Sequence, residues 1–170
     1  MKFNIEDVPA FYQGYVKQIE KKELLPALED SLKSLLSSCQ TLNETEALYR
    51  YDKDKWSIKD LVLHLADSER VFAYRAMRFG RNDQTALSGF DQDDYVREAV
   101  ADKFLLSDLL TQLKNVRKST IDMFTAFSET ELQRDGESNG VKMSVEMIGY
   151  IISGHTYHHT KVINERYLKP

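Results

Sequence analysis

Glycine and proline are scarce, 7 and 3 residues in a chain of 170. So few breakers leave room for long helices and disfavour a turn-rich β architecture. A single cysteine, Cys39, excludes an internal disulfide. It lies in an apolar helical pattern, LKSLLSSCQTL, and reads as a small buried thiol. No apolar run approaches the roughly 20 residues that span a bilayer, so no membrane partner is expected. The first residues, MKFNIEDVPAFY, carry acids where a signal peptide needs an apolar stretch, and this reads as a cytoplasmic chain. A basic stripe is missing too: the net charge is −4 and Lys and Arg are scattered among acids, so no nucleic-acid partner is expected.

What is present is ordinary for a soluble globular protein, with 42% apolar and 29% charged residues. The length fits one domain, residues 1–170, that hides roughly 70% of its unfolded surface. Apolar residues recur at helical spacing in four long segments. A short aromatic helix over Val8–Ile19 precedes the first, Leu24–Gln40, whose Leu25, Leu28, Leu32, Leu35, Leu36 and Cys39 form one face. The second starts at Ser57, a good N-cap with Asp60 three residues on, and stops near Gly80. The third runs over about Lys103–Phe127, and the fourth is capped by Ser144 and reaches about Tyr167. NETEALYRYDKDK reads as a connection, RDGESNG as a turn, and no segment alternates with period two. The fold class is therefore all-α, a four-helix bundle. Residues 81–102 make an unusually long connection between the second and third helices, with a short helical piece in YVREAVAD. A stretch of that length can cross the whole bundle, which favours a non-adjacent arrangement over a plain up-and-down one.

The chain has only four histidines, and three of them fall within GHTYHHTKVI. Val145, Ile148, Ile152, His155, His159 and Val162 follow three-four spacing, so His155 and His159 continue the inward stripe. Side chains at i and i+4 are neighbours and can share one metal ion. A stripe through Ile151, His155, His158 and Val162 fits as well, so the wheel leaves the second ligand open between His158 and His159. There is no HExxH, no Glu three residues before a histidine, and no phosphate-binding glycine loop.

Three ordered segments carry more information than the spacing. WSIKDLVLHLADSERVFAYRAMRFGRND, then GFDQDDYV, then NGVKMSVEMIGYIISGHTYHHTKVINERY resemble the DinB/YfiT-like superfamily in its DinB_2-type branch. The resemblance runs from about Phe11 to Tyr167. It implies a four-helix bundle of up-down-down-up topology, with the long connection as the crossover between helices two and three. It also implies a divalent metal held by His64, His155 and His159, with His158 a neighbour of the site. Zinc or nickel suits three imidazoles, with iron or manganese as alternatives. Three ligands leave a coordination position for water or substrate, as in catalytic sites.

Activities ascribed to family members that resemble this chain are metal-dependent hydrolysis and S-transfer to low-molecular-weight thiols such as bacillithiol; related mycothiol-dependent enzymes share the fold. The expected function is a metal-dependent enzyme on a small molecule, with metal-activated water or thiolate as nucleophile. The alternative is a non-catalytic metal-binding stress-response or interaction bundle. Asp67, three residues beyond His64, is the candidate base or supporting side chain. Glu69 and Arg75 read as buried or interhelical ion pairs, Trp56 and Phe72 as core, and Asp91 and Tyr95 as part of the long connection. The resemblance further suggests a homodimer, with the aromatic N-terminal segment as its interface.

Overall fold

The computed structural model describes residues 1–168. Four long helices dominate: α2 (Leu24–Cys39), α4 (Ile58–Gly80), α6 (Leu106–Ala126) and α8 (Val145–Val162, continued by a wider turn over Ile163–Tyr167). Shorter pieces join them: α1 (Ala10–Lys17), α3 (Glu44–Ala47), α5 (Gln92–Ala99) and α7 (Glu129–Gln133). The helix starts follow local chemistry. The Ser57 hydroxyl accepts from the Asp60 amide while the Asp60 carboxylate takes the Ser57 amide at 2.8 Å. Ser144 caps α8 by accepting from the Met147 amide at 3.1 Å. Each cap satisfies amides that the first turn leaves without partners.

Cross-bundle contacts set the directions. The Lys59 ammonium reaches the Phe104 carbonyl at 2.8 Å, joining the starts of α4 and α6, so these helices are parallel. The Tyr167 hydroxyl donates to the Trp56 carbonyl at 2.6 Å, joining the end of α8 to the start of α4. Those two are antiparallel. The Ser153 hydroxyl donates to the Ala27 carbonyl and the Tyr150 hydroxyl to that of Lys22, so α2 and α8 run together. The result is up-down-down-up. Parallel α4 and α6 require a returning connection, which residues 81–105 provide. Within it Asp91 caps α5, accepting from the Asp93 and Asp94 amides at 2.9 and 3.0 Å.

The structure adds one feature to the sequence reading and shifts some boundaries. Residues Asp135–Ser138 (β1) and Val141–Ser144 (β2) form an antiparallel hairpin where a bare turn was expected. Its two-residue loop is Asn139-Gly140, with φ of 53° and 74°, the positive pair that a tight hairpin turn needs. Strands of four residues are too short to show alternation, and only Gly136, Ser138 and Met143 face inward. The segment taken as plain connection holds α3, and α6 begins at Leu106 where Lys103 was expected. The short piece in the crossover runs over Gln92–Ala99 instead of Tyr95–Asp102.

The apolar core is split in two. One cluster holds Leu28, Phe72, Phe79, Phe124, Ile148 and Ile152; the other holds Leu35, Ile58, Leu61, Leu65, Leu113 and Ile163. Between them lies a buried polar layer: Ser31, His64, Ser68, Glu69, Arg117, His155 and Thr156. Arg117 is fully buried and ties all four bundle helices together. It pairs with both carboxylate oxygens of Glu69 at 2.8 Å, and donates to the Leu28 carbonyl (2.5 Å), the Ser31 hydroxyl (2.8 Å) and the Thr156 hydroxyl (2.9 Å).

Candidate metal centre

The polar layer brings α4 and α8 face to face at the histidines. His64 sits on the inner stripe of α4, and His155 and His159 lie one turn apart on α8. Gly154 positions this part of α8 against α1: a side chain there would meet the Tyr15 carbonyl at 2.3 Å, so only glycine permits the close approach. That approach lays the Tyr15 ring over His155 and His158, with centroids 5.2 and 5.1 Å apart. On the other side the Trp56 ring lies 4.7 Å from His64 and 6.4 Å from His159. Trp56, expected in the core, is half-buried and walls the site.

The three Nε2 atoms converge. His155 Nε2 lies 3.1 Å from His64 Nε2 and 2.9 Å from His159 Nε2. One ligand atom from each residue falls within 4.8 Å of the other two, and no fourth His, Cys, Asp or Glu of the described residues joins the group. His158 is outside it, with its ring 5.1 Å from that of His159. Of the two stripes that the wheel allowed, the cluster uses the one through His159.

Burial keeps these imidazoles neutral. Desolvation lowers His64 from its ordinary value to about 4. His155 and His159 lie well below the usual histidine range, from burial first and then from their mutual proximity. Three neutral rings cannot satisfy one another here. A single Nε2 carries either one proton or one lone pair, so His155 Nε2 can make a good hydrogen bond to only one of its two neighbours. A cation at the point of convergence satisfies all three lone pairs. Nitrogens on a tetrahedral zinc stand about 3.3 Å apart, close to the separations seen. The donor set fits a divalent transition metal.

The supporting contacts are sparse. The Ser68 hydroxyl is 3.4 Å from His64 Nδ1, and His159 Nδ1 is buried without a protein partner. Asp67 lies at the edge of a small cleft under α5, beside His64, Ser68, Phe90 and Tyr95. Its carboxylate accepts from Arg70 at 2.7 Å and makes no hydrogen bond to a histidine. Glu69 forms the expected buried ion pair. Arg75 does not: it is buried, but its guanidinium donates to the Ser88 carbonyl at 2.9 Å and covers the rings of Phe72 and Phe90. No acid side chain of the described residues pairs with it. Two cavities open on the histidines. One of about 470 Å³ reaches His155 past Tyr12, Tyr15, Ser68, Phe72 and Phe90. Another of about 290 Å³ reaches His159 past Trp56, His158 and Tyr167.

Sequence reasoning passed over Tyr15 and Arg117. Arg117 carries a visible signal, standing four residues after Leu113 and seven before Phe124 on an otherwise apolar stripe. A charged residue in such a place must find a buried partner.

The DinB superfamily model, in its DinB_2 form, matches residues 27–163. The chain belongs to the DinB superfamily. The matched region of this DinB-superfamily chain contains all three histidines. Among solved structures it is similar to YfiT from Bacillus subtilis, described as "a probable metal-dependent hydrolase with an unusual four-helix bundle topology". That likeness has a TM-score of 0.76 at 17% identity and covers 88% of this chain and 85% of YfiT. At this identity it establishes the shared fold. No curated protein matches the chain. No helix among the described residues is long and apolar enough to cross a membrane.

Proposed function

We propose that this DinB-superfamily protein is a metal-dependent enzyme acting on a small molecule, by hydrolysis or by transfer to a low-molecular-weight thiol. His64, His155 and His159 hold a divalent transition metal, zinc or nickel by preference for imidazole, iron or manganese otherwise. The observation that supports this best is the cluster itself: three converging nitrogens without a fourth protein ligand, bordered by cavities. Structural sites are closed by four protein ligands, and catalytic sites leave a position open.

Held there, the ion supplies Lewis acidity to a water or a thiol. The chain's own residues do the rest. Burial keeps the imidazoles unprotonated and ready to bind metal at neutral pH. Trp56 and Tyr15 pack against the imidazoles from two sides and orient the rings. Asp67, at the cleft edge, is the candidate base once its carboxylate leaves Arg70. The same reading includes a cytoplasmic homodimer, for which exposed Phe11 supplies contact surface.

The second reading, a non-catalytic metal-binding bundle, draws on the absence, among the described residues, of any carboxylate hydrogen-bonded to the cluster. Activity screens on metal-free and metal-restored protein separate the two. Hydrolysis or thiol transfer that returns with metal and is lost in His155→Ala supports the enzyme. Stoichiometric metal with no activity across both reaction classes supports the alternative.

A further inference from the structure

Two arginines lie in the bundle interior, and they differ in one respect. Arg117 has its carboxylate in Glu69. Arg75 is 3% exposed, and its partners are the Ser88 carbonyl, the Tyr12 hydroxyl and the faces of Phe72 and Phe90, none of them an anion. Taking a cation out of water without an anion is costly, and burial accordingly lowers the Arg75 pKa. The chain has 27 acidic residues from which a partner could have come.

Its position gives the missing anion a source. Arg75 stands on the α4 stripe that carries His64, Ser68 and Phe72. By the helical rise it is roughly 16 Å beyond His64. Phe72, Phe90 and Tyr12 all line the cavity that reaches His155. The Arg75 guanidinium covers the first two, with its carbon 5.5 and 5.9 Å from the ring centroids. Its charge also opposes the rise that burial imposes on the Tyr12 hydroxyl. The cavity thus runs from the histidines to a wall backed by an uncompensated cation, and no charged side chain lines it.

We infer that this cavity takes a small molecule with an apolar body and one carboxylate, which accepts from the Tyr12 hydroxyl on the cavity wall with the Arg75 charge behind it. One cation and no second nearby matches a monoanion better than a phosphate dianion. The carboxylate end stands on Tyr12 and Arg75; what the other end meets rests on the metal reading above.

Calorimetric titration tests the two ends separately. Metal-free protein is titrated with octanoate and with octanol. Octanoate should bind more tightly by roughly tenfold or more, as expected for a hydrogen bond to an ionised group with a cation behind the donor. Arg75→Gln should erase that preference, and Arg75→Lys, which keeps the cation, should retain part of it. Equal binding of octanoate and octanol by the wild-type protein overturns the inference without recourse to any variant. A preference that survives in Arg75→Gln removes Arg75 from it. Zinc-loaded protein is then titrated with mercaptooctanoate, which should bind more tightly than octanoate and lose the gain in His155→Ala. Failure of this arm alone counts against the metal reading and leaves the carboxylate site standing.

Discussion

Replacing Gly154 by alanine tests the packing that builds the site. An alanine Cβ would lie 2.3 Å from the Tyr15 carbonyl oxygen and 2.6 Å from its carbon. Both are backbone atoms of α1, so no side-chain rotation relieves the clash, and α1 has to lift from α8. Overpacking costs about 1–3 kcal/mol, and a backbone obstacle puts this case near the upper end. Alanine recovers about 1 kcal/mol of helix propensity. The net loss is about 2 kcal/mol, or roughly 4–8 °C in Tm for a chain of this size. Gly14 is the internal control, because a Cβ there meets nothing within 4 Å. Gly14→Ala should stabilise by about 0.5–1 kcal/mol. Urea unfolding of both variants reads the two signs directly. If Gly154→Ala matched the wild type or exceeded it, α1 would not lie on α8 as described, and Tyr15 would not wall the histidines.

Glu69→Gln leaves the Arg117 charge buried without its carboxylate and should cost about 3–5 kcal/mol in urea unfolding; a loss below 1 kcal/mol would contradict the four-helix tie. Metal-free protein should lose stability as pH falls. His64, His155 and His159 have folded pKa values below the unfolded value, so the unfolded chain takes up protons first. Stability is then full above about pH 6.5 and falls towards pH 4, with each imidazole contributing up to about 1.4 kcal/mol per pH unit. Unfolding curves between those limits that coincide would refute this. Trp56, the chain's one tryptophan, lies 4.7 Å from the His64 ring, so nickel should quench its fluorescence in the wild type and not in His64→Ala.

The four long helices were legible because their starts are chemical: Ser57 with Asp60, and Ser144 before an apolar run. The crossover was legible from the length of residues 81–102. The hairpin is signalled only by Asn139-Gly140, because its strands are too short for alternation to register. The choice between His158 and His159 could not be made on a wheel. From Val145 to Thr156 only Met147 escapes full burial, so no single stripe of α8 stands out. It takes the position of α4, and of His64 on it, to select His159. The charge of Arg75 alone points to an acidic partner, but its neighbours come from α1 and the crossover, which sequence spacing does not bring together. Tyr15 reaches the site through the contact that Gly154 permits, and that too is a tertiary fact.

Elemental analysis of untagged protein, run beside His64→Ala, His155→Ala and His159→Ala, tests the central claim most directly. The account predicts about one equivalent of a divalent transition metal in the wild type and its loss in each variant, with the fold retained by circular dichroism. Wild-type protein that carries no metal, and takes up none from zinc, nickel, iron or manganese, would contradict it.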